Sequence, residues 1–409
     1  MLNLYSTYDK VKIGLSKNFL EFKALRNKLY PDFVFDSKLK NLKDEIPVFT
    51  LHSVAPDKFE EQLIFLSKNG YQTLIADEFY EYLVGSRPVP ERSIMFTFDD
   101  GWKNLYSVVY PLLNKYNFRA VCFLIPGLIP SKKEDNYEEE SIESIPGSNI
   151  LSNWDEITKM HESNVIDFQS HSMTHHRIFV SPSVDSFFYP SFDSYAMNLN
   201  VPLYRVKDND NFSRVVKFGT PVYQNSSRFS GRKRYFDDEN LRRECVRYVE
   251  SNGGKEFFRR YNWHKKLFAF VENYRKKYKD SGYFENEEQF RQNIFIELRK
   301  SKLDIEKQLS GKTVSHFCYP WWIGSKIASE ISKEAGYLSN FWGTLPERRT
   351  NKRGDDPYSI ARLLSDDFIF RLPGNGRKSL SKIILEKFSS NQKGLTGKLF
   401  KTDIKSFPK

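Results

Sequence analysis

The sequence predicts an α/β fold built on a parallel sheet or barrel. Two runs, Ser93–Phe98 (SIMFTF) and Ala120–Ile125 (AVCFLI), are almost continuously apolar, as strands buried on both faces must be. Such runs alternate with stretches of helical spacing. The chain also holds 35 Phe and 23 Tyr, a load that disordered chains lack, so most of it should fold.

In order, Ile46–Leu51 is a β-rich run ending at His52. Lys58–Lys68 has helical spacing, with Phe59, Leu63, Phe65 and Leu66 apolar, and stops at Asn69-Gly70. Tyr71–Ile75 reads as a strand, Asp77–Leu83 as a helix, Asn104–Tyr116 as a helix, Trp154–Ser163 as a helix and Val165–Gln169 as a strand. The rhythm breaks after Arg177. Residues 178–309 read as a large insertion, although its last part, the helix 285–309, is also a candidate for the main fold. Thr313–Tyr319 resumes as a strand. The barrel is therefore assigned to 46–177 and 310–372, with an N-terminal extension at 1–45 and a basic tail at 373–409.

The net charge of +11 is concentrated. Residues 228–280 carry a net +8 and residues 371–409 another +8, which leaves the main fold acidic. Basic segments of this kind suit an anionic membrane surface or an anionic glycan, against the alternative of a solvated face. Nucleic acid is not the expected partner. No run of about 18 apolar residues occurs, which excludes a spanning helix. Met1–Leu25 has no apolar h-region, so a cytoplasmic protein is expected, with a peripheral place on the inner membrane face. Cys122, Cys245 and Cys318 are odd in number and far apart, and read as buried thiols.

The chemistry is carried by two motifs. Thr97-Phe98-Asp99-Asp100-Gly101 follows a buried strand, and paired carboxylates there are costly unless used. Strand-end loops are where α/β folds keep their sites. A cation would explain both acids, one as a ligand and one free to move a proton. Alone, Asp-Asp-Gly is an ordinary turn. His171-Ser172-Met173-Thr174-His175 follows the next predicted strand, and its two histidines at i, i+4 would share one helical turn and one metal. Two histidines and a carboxylate form a usual set for zinc or another divalent ion.

With these motifs the sequence resembles the polysaccharide deacetylases of the NodB-homology family, the family 4 carbohydrate esterases. TFDDG (Thr97–Gly101) is similar to that family's first motif, HSMTH (His171–His175) to its second, and Phe317–Trp322 to the Tyr-Pro version of its third. The resemblance implies a distorted (β/α) barrel with a large insertion. It implies a hydrolase that removes N-acetyl groups from a saccharide and releases acetate, with one divalent metal, Zn2+ foremost, held by Asp100, His171 and His175. Candidate substrates are a glycan, a lipid-linked sugar or a lipopolysaccharide intermediate. Asp99 would be the general base, and Arg362 would replace the arginine that the third motif lacks here. The oxyanion and substrate would meet Tyr319, Pro320, Trp321 and Trp322, chiefly the Trp321 N–H, with Trp342 also facing the sugar. No histidine occupies Leu363–Asp367, where the family has a Leu-His pair. His52 is therefore the candidate acid, unless Asp99 returns its own proton; His316 reads as a core residue and His176 as packing. Hydrolysis of a small non-glycan amide and glycan binding without turnover stand as alternatives.

Overall fold

A computed structural model describes residues 25–28, 30–42, 45–130, 150–190, 192, 204–205, 212–213, 217–343, 345, 350–364 and 366–386. Its centre is one parallel sheet with the strand order Val48–Leu51, Ser93–Asp100, Ala120–Leu124, Ile166–Ser170, His316–Cys318, Ser339–Phe341. A short strand, Gln72–Thr73, adds to the start of Ser93–Asp100. The segment 360–363 closes the ring. On one side Trp342 N–H donates to Ile360 O and Arg362 N–H to Gly343 O; on the other, Thr50 N–H donates to Leu363 O and Leu363 N–H to Val48 O. The α/β barrel expected from sequence is thus present.

Strand side chains alternate between two faces, and both faces here are apolar. Phe49, Ile94, Phe96, Phe98, Cys122, Leu124, Phe168 and Phe317 pack outward in the larger core, under the helices. Val48, Met95, Val121, Phe123, Cys318, Phe341 and Ile360 fill the interior. The helix Ala76–Leu83 seals the barrel from below with Phe79, Tyr82 and Leu83. This two-sided burial is the reason the sequence shows runs such as SIMFTF rather than alternation.

The expected Asn104–Tyr116 helix begins as a π-helical turn, Leu105–Val109, and continues as an α-helix from Tyr110 to Tyr116. The helix Glu287–Gln308 packs on the barrel: Ser301 meets Ser170 of the Ile166–Ser170 strand, and Phe290, Ile294, Leu298 and Ile305 enter the main core. The rest of the insertion has a core of its own, formed by Phe187, Leu241, Cys245, Val249, Phe257, Leu267 and Val271. It is rooted by an antiparallel pair, Arg177–Phe187 with Pro221–Ser227, and by a buried bidentate ion pair, Arg228 to Glu285. Phe229 plugs it into the barrel core against Phe317 and Tyr319.

Two segments that the sequence reading set outside the barrel pack against it. Phe33 and Val34 of the N-terminal extension are fully buried. In the tail, Arg377 donates to the carbonyls of Phe33 and Asp36, and Ile383 is buried. Arg371 and Arg377 therefore tie the start of the tail to residues 33–39 rather than forming a free charged face. Lys387 and the lysines after it lie outside the described residues. No described helix is long and apolar enough to cross a membrane, and the three cysteines are buried free thiols.

Candidate active site

The Ser93–Asp100 strand extends through both carboxylates, so pleating decides their roles. Met95, Thr97 and Asp99 share the inward face. Asp99 thus stands at the top of the barrel interior, in register with Phe123 and almost completely buried. Arg362, from the closing segment, meets it there with no exposed surface. Nη1 and Nη2 donate to the two Asp99 oxygens at 2.7 and 2.9 Å, and Nε donates to Trp342 O at 2.7 Å. Burial pushes the Asp99 carboxyl up, but Arg362, then His171, outweigh it and hold the group well below the usual carboxylate range. Asp99 is ionised throughout the neutral region.

Asp100 breaks out of the strand with φ 74°, and Gly101 follows at φ 82°. A Cβ on Gly101 would lie 2.8 Å from a Leu124 methyl, so both conformation and space favour glycine after the acids. The turn brings Asp100 against Trp102, His171 and His175. One oxygen accepts from the Trp102 indole at 2.9 Å. The other is buried without a hydrogen-bond partner and lies 3.6 Å from His171 Nε2 and 3.7 Å from His175 Nε2.

The His171–His175 segment is not the helical turn that the i, i+4 spacing suggested. It is a loop with left-handed residues at Ser172 (φ 70°) and His175 (φ 55°). His175 N–H donates to Ser172 Oγ, and the His171 and His175 rings meet at 4.7 Å. The Gly127 N–H donates to Met173 O, and a Cβ there would come within 2.5 Å of that oxygen. Glu297, from the Glu287–Gln308 helix, accepts from both the N–H and the Oγ1 of Thr174 at 2.8 Å. His171 Nδ1 faces Cys318 O at 2.8 Å. A carbonyl only accepts, so Nδ1 carries the proton and Nε2 presents its lone pair toward Asp100.

These atoms fit a metal. Ligands about 2.0–2.2 Å from one tetrahedral ion stand roughly 3.4 Å apart, close to the 3.6 and 3.7 Å found, and too long for hydrogen bonds. A buried carboxylate oxygen without a donor is the atom that such an ion would satisfy. Burial is also the main reason that His171 and His175 are pushed down to about 4 and about 3, which keeps both neutral, as ligands must be.

The other expected residues divide. Trp321 lies against His175, its ring 5.0 Å away and its indole N–H donating to His175 O. Trp321 and Trp322 both take left-handed backbone, φ 61° and 59°. Trp322 is partly exposed, and His52 stands beside it at the rim, with ring centroids 6.4 Å apart. Tyr319 does not face the site. It is fully buried, its hydroxyl accepts from Asn340, and its ring packs on Phe317 and Trp342. Pro320 is buried and starts the turn that presents the tryptophans. Trp342 donates its indole N–H to Tyr358 O. His316 is a satisfied core residue between Ser339 and Asp77. His176 bonds Thr174 Oγ1.

Sequence reasoning missed Trp102, Glu297 and the Cys318 carbonyl. Only Trp102 left a local signal, an indole two residues past the acids.

The polysaccharide deacetylase family model matches residues 86–190, which include both carboxylates and both histidines. The poly-beta-1,6-N-acetyl-D-glucosamine N-deacetylase of Escherichia coli K12 is 26% identical over 138 residues, covering 33% of this chain and 20% of that protein. The enzyme of the same name from Staphylococcus epidermidis is 29% identical over 127 residues, covering 31% of this chain and 39% of that protein. The matches thus span about a fifth to two fifths of these relatives. A solved de-N-acetylase from Aggregatibacter actinomycetemcomitans superposes over 79% of this chain and 95% of its own, at 18% identity and a TM-score of 0.48. The segment that carries the candidate site, residues 86–190, is thus the part of the chain that is similar to the polysaccharide deacetylase family.

Proposed function

We propose that this protein is a metal-dependent N-deacetylase of an acetylated saccharide, one containing N-acetylglucosamine being the first to test. One observation carries the reading: a buried, ionised Asp99 held by Arg362 stands next to the Asp100–His171–His175 cluster, which fits a cation. Two adjacent carboxylates are thereby split into a proton acceptor and a ligand.

When bound by Asp100, His171 and His175, a divalent ion, Zn2+ foremost, supplies Lewis-acid polarisation of the acetyl carbonyl and of the attacking water. Asp99 accepts the proton of that water as its oxygen adds to the acetyl carbon. Arg362 fixes the carboxylate plane and keeps Asp99 ionised before the attack. The same low proton affinity makes the protonated Asp99 a ready donor to the leaving nitrogen, so the C–N bond breaks to an amine and acetate. His52, at the rim, is the second candidate for that donation. The strained turn at Trp321 and Trp322 presents backbone toward the carbonyl oxygen, and their rings provide an apolar surface for the acetyl methyl and the sugar.

Hydrolysis of a small amide, or glycan binding without turnover, would use the same cluster. Work on the inner membrane face remains part of the proposal, supported by the net charge of +8 over residues 228–280. The test is acetate release from N-acetylglucosamine oligosaccharides by metal-loaded protein, with His171→Ala as the control that loses both bound metal and activity. Saccharide binding without acetate release would select the binding reading.

A further inference from the structure

Arg177 is the first residue of the insertion's antiparallel pair, two positions past His175. Its guanidinium lies 5.1 Å over the Trp321 ring, the same indole that contacts His175 at 5.0 Å. Those two separations together place it no more than about 10 Å from the His175 ring. Its one bond among the described residues runs from Nη2 to Asn225 O at 3.1 Å. Nε is buried and has no hydrogen-bond partner among the described residues. No described carboxylate forms an ion pair with this half-buried guanidinium, whereas Arg228 and Arg362, both buried, are each bidentate to an acid. Burial alone lowers its proton affinity, with no acidic group opposing the effect.

A guanidinium partly withdrawn from water without an anion is an unfavourable arrangement. A planar guanidinium with no acid beside it can take a carboxylate or a phosphate through its terminal nitrogens, and the aromatic face beneath it fixes the plane. Its distance from the reacting centre is one that neighbouring sugar units span.

We propose that Arg177 forms an anion subsite, so that the substrate is an acetylated saccharide with a carboxylate or phosphate on or next to the sugar that loses its acetyl group. This rests on the deacetylase reading and adds the chemical class of the glycan. The strand that leads into the insertion thereby selects substrate at its first residue, while the barrel supplies the chemistry.

The experiment compares three tetrasaccharides of N-acetylglucosamine: neutral, bearing one 6-phosphate, and bearing one 6-carboxylate. Binding is measured by calorimetry on metal-loaded Asp99→Asn protein, and acetate release on the wild type. At low salt at least one charged ligand should bind about tenfold to a hundredfold more tightly than the neutral one, the range for one charge-assisted contact. Which arm responds identifies the anion. Arg177→Gln in the same background should abolish the difference and leave neutral binding unchanged. Equal binding of all three by the parent protein overturns the proposal. So does an Arg177→Gln protein that weakens all three alike, because Arg177 would then only prop Trp321. Should that variant fail to fold, the parent's salt dependence decides: the preference must shrink as salt rises, and a salt-independent preference overturns the subsite. A charged preference without acetate release from any ligand would sink the deacetylase reading and leave the subsite standing.

Discussion

Replacing Arg362 with Met tests the central electrostatic claim. Arg362 has no exposed surface, gives two bonds to Asp99 at 2.7 and 2.9 Å, and gives a third to Trp342 O. Methionine of similar length fills the volume but leaves a buried carboxylate alone, a change that typically costs about 3–5 kcal/mol. The variant should therefore unfold at distinctly lower urea at pH 8. A second consequence separates electrostatics from mere instability. Burial pushes Asp99 up and Arg362 is the first group that opposes it. Without Arg362 the carboxyl takes up a proton at a pH where the wild type is ionised. The acid limb of kcat/KM for acetate release should move to higher pH, with activity partly recovered toward pH 9. Arg362→Lys keeps the charge but not the fork, so it should fall between. An Arg362→Met protein within about 1 kcal/mol of wild type, or with an unmoved acid limb, would refute the reasoning.

Asp99→Asn should retain full metal content and lose turnover by roughly 10²-fold or more, the scale of general-base effects; near-normal acetate release would remove Asp99 from the mechanism. Glu297→Ala frees Thr174 between His171 and His175, so metal affinity should fall about 10- to 100-fold as for other supporting contacts, and unchanged affinity in a chelator competition would show the loop to be self-supporting. In metal-free protein, His171 and His175 titrate near 4 and near 3, while the unfolded chain protonates near 6.5. The unfolded state then binds more protons between those values, so stability falls as pH drops from about 6.5 toward 4, by up to about 1.4 kcal/mol per unit for each histidine. Equal urea midpoints of metal-free protein at pH 7 and pH 5 would contradict that burial.

What the sequence made legible was the part encoded within single segments. Runs such as SIMFTF announce strands buried on both faces, and placing acids and histidines just past two such runs puts them at one end of a parallel sheet. Spacing misled at His171–His175, because i, i+4 fits a helix equally well. The loop is set instead by the Gly127 backbone bond to Met173 and by Glu297 on Thr174, contacts that no local window contains. Tyr319 was misplaced for a similar reason. Its neighbours Trp321 and Trp322 turn toward the site, but strand pleating sends Tyr319 into the core beside Phe229, a residue supplied by the insertion.

The site's dependence on long-range contacts follows from how the barrel closes. Asp99 belongs to a strand near the start of the ring, and Arg362 to the segment that seals its seam, 263 residues later. The same few residues do both tasks: Leu363 exchanges main-chain bonds with Val48 and Thr50, Ile360 with Asn340 and Trp342, and Arg362 between them turns inward. An open barrel would leave Asp99 buried against Phe123 without its guanidinium, and burial alone would favour the protonated form. Ring closure is therefore what holds Asp99 in its ionised state. Substitutions at the seam that leave every site residue intact, such as at Leu363 or Ile360, should impair Asp99 through Arg362 before they unfold the chain.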